Sequence, residues 1–429
     1  KTAYEISTRD WSSDVCSSDL IKMKNIFLIL ITISSSSFVL AQSDPILNIE
    51  GFRYKTISFT EYIKEVNQNS ASINSKQLSV LSSKAMVAPM SARNFSPSFS
   101  YSKGAYYYLV PSTPYISPSS NTYSLSGTLE GWGKRQARED FANTEVARNE
   151  SELNSLKKTV ESDAIFAYLD TLRVKLNWLI FQKAINELSA LKEKDAQKSL
   201  ADLSSTLNNI SNDLKFFGYG LITFVGKPSD EGFIPQGDAI NTYPRNLKLN
   251  DLISEALSKR VDLIALNDNV KSADASANLV KKNRNIDVSP SAWYSTTPPY
   301  VSSGTQYGTT HSYGFSVSIP IPMQLRFDGD LVTAANNKTQ AEYALNDAKN
   351  RVMVEVKQAF LQYTVAKDKL KIAEQNLLIA REKYKKNSVE SITQFREKST
   401  ELIDAKTNHA KALIFLLRVS GDYEIPQFN

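Results

Sequence analysis

The chain has 429 residues and a formal net charge of +5; apolar residues make up 41% of it and charged residues 22%. These fractions are those of a folded protein, so they exclude a disordered chain and a bundle of membrane-spanning helices. A charge this dilute, with no basic block that carries interleaved aromatic residues, gives no reason to expect a nucleic-acid partner.

The first recognisable segment is an export signal at residues 23–41. It has a basic start at Lys24, an apolar run over residues 26–33 and the small residue Ala41 before the polar Gln42. These are the three parts of a secretory signal peptide. We therefore expect the mature chain to begin at Gln42 and to leave the cytoplasm.

The segment before the signal, residues 1–22, has no hydrophobic periodicity and precedes a better start at Met23. We interpret it as a leader that is not native to the protein. The only cysteine of the chain, Cys16, lies in this leader. The mature chain is therefore expected to have neither a disulfide nor thiol chemistry.

The mature sequence is internally duplicated. Residues 58–66 match residues 248–256, and the same order of predicted elements follows in each half: helix, strand pair, long helix, return helix. We expect the first helix of each half to run for about nine turns from a capping residue, Thr60 or Asn250. The predicted domains are a first repeat (42–228), a linker (229–247) and a second repeat (248–429).

Each half contains two segments in which apolar and small polar residues alternate, which is the pattern of strands with one apolar face. The segments have the length of a tilted strand that crosses a membrane, ~9 to 11 residues. Long loops rich in Pro, Ser and Tyr join each pair, at residues 105–120 and 296–310. The strand serines are the candidates for a face that lines water: Ser96, Ser98, Ser100, Ser124, Ser126, Ser316 and Ser318.

A very long helix follows each strand pair. Heptad spacing is visible at Leu169, Leu172 and Leu176, and each helix extends over roughly 50 residues, or about 75 Å. Breaks near residues 192–198 and 387–391 turn the chain back, so that each half ends in an antiparallel coiled-coil hairpin. The predicted fold class is an internally duplicated α+β membrane protein, in which long antiparallel coiled-coil helices form an α-barrel and four amphipathic strands contribute to an oligomeric transmembrane β-barrel.

Four strands cannot close a barrel alone. Natural membrane barrels begin at about eight strands, and an open edge in lipid leaves backbone groups without hydrogen bonds. Two copies would supply eight strands and three would supply twelve, and the larger barrel leaves room for a water-filled lumen. We therefore predict three copies whose helices form a tube. The helical hairpins then lie at the end far from the strands, where we expect them to meet a partner.

One motif links the end of the second strand pair to its long helix. Residues 316–322, Ser-Val-Ser-Ile-Pro-Ile-Pro, are followed by Phe-Asp-Gly at residues 327–329 and by Ala-Glu-Tyr-Ala at residues 341–344. This arrangement resembles the strand, proline, "F-D-G-G" exit and alanine-rich long helix of the TolC-like outer membrane factors, which serve efflux pumps and type I secretion.

A second motif lies at residues 252–265, with Lys-Arg-Val-Asp-Leu at residues 259–263. It is similar to the family's "A-x-x-x-R-P-D-L" segment, with Val261 in place of the proline. The likeness extends over nearly all of residues 42–421, and the motifs follow each other in the order of the family.

The resemblance implies a homotrimer with a twelve-stranded barrel in the outer membrane of a Gram-negative bacterium and a helical tunnel in the periplasm. A periplasmic adaptor (membrane fusion) protein and an inner-membrane transporter would open the tip and deliver the cargo, and outer-membrane lipid would surround the barrel. In relatives the tip of the second hairpin carries a Tyr and a Gly; here Tyr384 is present and an asparagine replaces the glycine. The candidates for a periplasmic gate are Asn387, Ser388, Glu390, Thr393 and Arg396.

The residues give no sign of catalysis, a cofactor or a metal site. The two histidines, His311 in a predicted strand and His409 on a heptad face, have no second ligand at metal spacing. No Gly-x-Ser-x-Gly elbow is present, and Gly-Trp-Gly-Lys at residues 131–134 lacks the spacing of a P-loop. We therefore predict a channel subunit that is not an enzyme and that carries neither cofactor nor metal.

Two alternatives stay open. A periplasmic coiled-coil adaptor or tether without a membrane barrel would need lipoyl-like or barrel domains beside one hairpin. An enzyme with its site in the 229–247 linker or the loops would need clustered His, Cys or paired acids. The nature of the cargo stays open as well, as does the role of the tyrosines at residues 106–108, which suit an aromatic girdle or a loop wall.

Overall fold

The computed structural model describes residues 47, 49–105, 119–191, 194–226, 230–237, 240, 245, 247–302, 304–321, 328–385 and 388–423. The predicted leader (1–22), the export signal (23–41), the tyrosines at 106–108 and Asn387 lie outside the described residues. Within the described part, no helix is both long and apolar enough to cross a membrane.

The elements follow the same order in the two halves. The first half comprises β1 (Tyr54–Ile57), α1 (Phe59–Asn69), α2 (Ala71–Ser91), β2 (Ser98–Ala105), β3 (Ser119–Ser126), α3 (Lys134–Ser189) and α4 (Lys194–Val225). The second comprises β4 (Gly232–Pro235), α5 (Leu249–Lys259), α6 (Val261–Lys282), β5 (Ser289–Thr297), β6 (Tyr300–Ser302), β7 (Thr305–Tyr307), β8 (Thr310–Ser318), α7 (Asp328–Glu382) and α8 (Val389–Ser420). The long helices have 56 and 55 residues and the return helices 32 each, so the duplication extends to the lengths of the elements.

The first helix of each half is broken after 11 residues, and the expectation of one helix of about nine turns was wrong. Ser70 (φ −56°, ψ 122°) separates α1 from α2, and Arg260 (φ −61°, ψ 123°) separates α5 from α6. An extended ψ at one residue interrupts the helical hydrogen bonds. The apolar periodicity resumes directly afterwards, which is why the sequence alone conceals the break.

The predicted caps of these helices, Thr60 and Asn250, were also wrong. The N-cap of α1 is Ser58, whose hydroxyl accepts a hydrogen bond from the backbone N–H of Glu61 at 3.2 Å. Ser58 and Glu61 have the spacing of a capping box, which places the helix start earlier than the threonine. α5 follows Lys248, whose side chain makes no capping hydrogen bond.

The four longer strands form one antiparallel sheet in the order β2-β3-β5-β8. β3 pairs with β5, so the strand pairs of the two halves make one continuous surface, with β2 and β8 at its edges. The second predicted loop, residues 296–310, contains a small hairpin of β6 and β7. Most of the first loop lies outside the described residues.

The predicted linker, residues 229–247, contains strand β4, which pairs in parallel with β1. This small sheet is held on the middle of α3 by the buried Lys175, whose ammonium group donates to the carbonyl oxygens of Pro235 at 2.9 Å and Gly237 at 3.0 Å. A buried ammonium group must be satisfied by such acceptors. Lys175 therefore fixes the path of the linker along the helices.

The two helical hairpins end together. A buried cluster joins Phe181, Leu188 and Leu203 of the first hairpin to Ile392 of the second. The sheet adjoins the start of α3 and this cluster adjoins its end, so the two lie roughly 80 Å apart, the length of the helix. The hairpin ends therefore form one tip at the opposite end from the sheet, as predicted.

Candidate channel wall and helical tip

One face of the four-stranded sheet is lined by hydroxyl groups. The register places Ser98, Ser126, Ser291 and Ser316 in one row that crosses all four strands. The hydroxyl oxygens of Ser98 and Ser126 lie 2.7 Å apart, as do those of Ser291 and Ser316. Neighbouring rows add further hydroxyl groups from Ser100, Ser102, Thr122, Ser124, Ser295 and Ser312. We call this surface the hydroxyl face; its groups offer both donors and acceptors to water.

The structure brings most of the predicted serines together on the hydroxyl face. Strand residues on this face include Ser98, Ser100, Ser124, Ser126, Ser316 and Ser318. Ser96 is exposed and precedes β2, so it lies outside the strands. The serines of β5 do not stand out in the sequence, because Trp293 takes a hydroxyl-face position among them.

The opposite face of the sheet is apolar and exposed. One row consists of Phe99, Leu125, Ala292 and Phe315. The two phenylalanines at its ends are 70% and 71% exposed. A contiguous apolar surface of this kind marks contact with a membrane or a partner.

A row of four tyrosines borders the apolar face on the side of the loops: Tyr101, Tyr123, Tyr294 and Tyr313. Two of their hydroxyl groups contact polar residues nearer the loops. The hydroxyl of Tyr101 donates to Asn121 at 3.0 Å, and that of Tyr294 lies 2.8 Å from Nδ1 of His311. Aromatic rings with their polar ends turned outward are typical of the border between membrane and water. The row depends on the strand register, so no local sequence signal reveals it.

Polar contacts join the sheet to the long helices. Arg138, near the start of α3, forms an ion pair with Glu130, which follows β3. Asp287, which precedes β5, accepts hydrogen bonds from the backbone N–H of Gly131 at 2.7 Å and from Lys134 at 2.8 Å. These contacts attach the start of the first long helix to strands of both halves.

The structure describes four of the five gate candidates, and Asn387 lies outside it. Ser388 is the N-cap of α8, and its hydroxyl accepts a hydrogen bond from the backbone N–H of Ser391. Glu390 is exposed. The hydroxyl of Thr393 donates to a backbone carbonyl one turn earlier, at 2.9 Å. Ser388 and Thr393 therefore serve the local structure of the turn and the helix.

Arg396 and Tyr384 connect the second hairpin to the first. The guanidinium carbon of Arg396 lies 4.8 Å from the centre of the Phe181 ring, and burial lowers the pKa of this arginine. Its Nε is buried without a hydrogen-bond acceptor in the part of the chain that the structure describes. Tyr384 packs against Phe395, with ring centres 4.7 Å apart, and burial together with the Glu187 carboxylate raises the pKa of Tyr384 to about 12. Arg396 reaches Phe181 of α3 and Tyr384 is influenced by Glu187 of α3, so these two residues link the hairpins and are the strongest gate candidates.

The long helix α7 carries an apolar stripe that the described chain leaves uncovered. Its members are each more than half exposed: Val354, Leu361, Val365, Ile372 and Ile379. Successive members are seven or four residues apart, which is the spacing of a coiled-coil seam. Three of them line an open groove of about 1230 Å³ between α3, α7 and α8. A stripe of this spacing suits packing against a further helix.

The duplicated hairpins and the single four-stranded sheet define the fold of bacterial outer-membrane channels. The outer membrane protein VceC from Vibrio cholerae superposes with a TM-score of 0.59 at 16% identity, over 84% of this chain and 95% of that chain. CusC superposes with a TM-score of 0.62 at 13% identity, over 84% and 91%. The CmeC outer membrane channel of Campylobacter jejuni gives 0.62 at 13% identity, over 85% of each chain. The α+β fold with long paired helices is thereby confirmed.

Part of the second half of the sequence matches a family model. Residues 252–389 match the profile of the outer membrane efflux protein family. This segment, from α5 to the start of α8, is an outer membrane efflux protein domain, and the resemblance to TolC-like outer membrane factors is confirmed. No curated protein sequence matches the chain.

Proposed function

We propose that this chain is the outer-membrane channel subunit of a tripartite efflux pump or a type I secretion system. The observation that carries the proposal is the four-stranded sheet, which has a continuous hydroxyl face on one side and an exposed apolar face on the other. Such a sheet suits a membrane barrel, with the apolar face toward lipid and the hydroxyl face toward water. The outer membrane efflux protein domain supports the same role.

Three copies complete the channel. The sheet has two edges, β2 and β8, and a free edge in lipid leaves backbone groups unsatisfied. Three such sheets, each of four strands, close a twelve-stranded barrel. The uncovered stripe of α7 then packs against a helix of the next copy, so that the helices continue the barrel as a tunnel.

The remaining partners follow from this arrangement. The export signal at residues 23–41 directs the chain out of the cytoplasm, and the chain then inserts into the outer membrane of a Gram-negative bacterium, where lipid surrounds the apolar face. The helical tip extends into the periplasm and meets an adaptor protein and an inner-membrane transporter, which delivers cargo for passive exit. The contact of Arg396 with Phe181 keeps the tip closed until the adaptor binds. A coiled-coil adaptor without a membrane barrel would not need a sheet with one apolar face and one hydroxyl face.

Planar lipid bilayers test the proposal. We expect purified mature protein to insert and to give stepwise ionic conductance. Phe315→Arg, near the middle of β8 on the apolar face, should abolish insertion, because a cation on the lipid side of a barrel costs about 2–4 kcal/mol at the bilayer midplane. Ser100→Ala, on the hydroxyl face, is the matched control and should insert like the parent. A parent that never conducts, or a Phe315→Arg variant that inserts as well as the parent, would contradict the proposed function.

A further inference from the structure

Trp293 is the only aromatic residue on the hydroxyl face among the described strands. It lies in β5, between Ser124 of β3 and Gly314 of β8. The next rows on either side carry hydroxyl groups, including Ser291 and Ser295 of the same strand. A single indole therefore interrupts a wall that otherwise consists of small polar residues.

The indole packs closely against Gly314. A β-carbon at residue 314 would be 2.7 to 2.8 Å from three ring atoms of Trp293, Cε2, Nε1 and Cζ2. The three atoms lie side by side along one edge of the indole, so this part of the ring packs directly against the backbone of the neighbouring strand. Any other residue at this position would displace the indole, so Gly314 provides the space that the ring occupies.

The outer surface of the ring faces the space in front of the hydroxyl face, and the side chain is 39% exposed. The face of an indole is negative and attracts cations, and planar aromatic molecules stack on it. No strand residue that the structure describes on the hydroxyl face is charged. A cationic ligand at Trp293 therefore meets neither a competing ion pair nor a repelling charge.

We propose that Trp293 is a binding site for planar aromatic cations on the inner wall of the barrel, so that three copies of the indole contact such cargo as it leaves. The proposal rests on the proposed function, which makes the hydroxyl face the wall of the lumen. It assigns the channel itself a preference for one chemical class of cargo, in addition to any choice that the pump makes.

Block of single channels by ethidium, a planar aromatic cation, tests the site. We expect ethidium to block the parent channel. The ethidium concentration for half-block should be about five- to tenfold higher for Trp293→Ser, which is the factor that a cation–π contact of this kind contributes. Tetraethylammonium, a cation without an aromatic plane, retains the cation–π attraction but cannot stack on the ring, so its half-block should differ less between the two channels than that of ethidium. Ser291→Ala lies on the same strand and face and should behave like the parent. Trp293→Phe keeps a smaller aromatic ring at this position and should need an ethidium concentration for half-block between those of the parent and Trp293→Ser. This variant also tests the site if Trp293→Ser fails to assemble.

Half-block at the same ethidium concentration in the parent, Trp293→Ser and Trp293→Phe would overturn the proposal, as would a conducting parent that ethidium does not block. A parent that gives no conductance at all would overturn the proposed function, and this proposal with it. The presence or absence of conductance therefore separates the two failures.

Discussion

His409 lies in the seam between α7 and α8, and none of its surface is exposed. Its ring centre is 5.3 Å from that of Tyr363, and neither ring nitrogen has a hydrogen-bond partner among the described residues. Burial, together with the charge of Lys367, lowers the pKa of this histidine. The folded chain therefore holds the ring in its neutral form within the seam.

The buried histidine makes stability depend on pH. In the unfolded chain the ring takes up a proton as the pH falls through about 6.5, whereas in the folded chain it does so only at lower pH. At such pH values the unfolded state binds more protons than the folded state. The free energy of unfolding therefore decreases as the pH is lowered, by up to about 1.4 kcal/mol per pH unit for each chain. We expect the melting temperature of the parent to fall between pH 7.5 and 5.5 more steeply than that of His409→Leu.

Thermal unfolding of the detergent-solubilised protein at several pH values gives this comparison. His311→Gln removes the exposed histidine of β8 and is the matched control, which should keep the pH dependence of the parent. Equal slopes for the parent and His409→Leu would show that the buried ring does not contribute.

Arg260 shows how side chains replace a proline. Val261 stands where the related motif has a proline, which would favour an extended conformation at the residue before it. Arg260 nevertheless has ψ 123°. Its guanidinium donates to both carboxylate oxygens of Asp262, at 2.9 and 2.6 Å, and to Glu355 at 2.7 Å. Burial alone would lower the pKa of Arg260, but these hydrogen bonds raise it, and the same network holds the break between α5 and α6.

At the scale of the elements, the proposed opening of the tip requires the hairpin of α7 and α8 to separate from that of α3 and α4. Arg396 on α8 contacts Phe181 on α3, so its loss weakens the link between the two hairpins. A partly buried cation–π contact contributes roughly 1–2 kcal/mol, enough to shift a closed tip toward open states. We expect Arg396→Ser to raise the single-channel conductance in planar bilayers.

Lys398→Ser is the control for this prediction. Lys398 lies on the same helix, two residues further on, but pairs with Glu401 at 2.8 Å within α8. Its loss leaves the contact between hairpins in place, and conductance should stay at the parental value. If Arg396→Ser conducts no more than the parent, Arg396 does not belong to the gate.

The elements differ in how far the sequence predicts them. The long helices, the return helices and the alternating strands depend on local periodicity, and the structure contains them near the predicted positions. The pairing of β3 with β5 and of β1 with β4 joins segments far apart in sequence, so no local pattern indicates it.

The candidate site was predictable from the sequence only where it depends on local alternation. Most hydroxyl-face serines were visible as alternation, whereas the tyrosine row and the contact of Arg396 with Phe181 depend on register and on packing between the halves.

For the whole molecule, the duplication bears directly on the proposed assembly of three copies. Each half supplies two strands and one hairpin, and the halves share one sheet and one tip. The two halves together still leave the two sheet edges, the apolar face of the sheet and the stripe of α7 uncovered. Identical neighbours on both sides cover all the edges at once in a closed ring.

The mass of the detergent-extracted assembly tests this account most directly. Native mass spectrometry of the protein from outer-membrane fractions should show three copies of the mature chain. A single folded copy that stays soluble in water without detergent would contradict the account, because its apolar sheet face and strand edges would then need neither lipid nor neighbours.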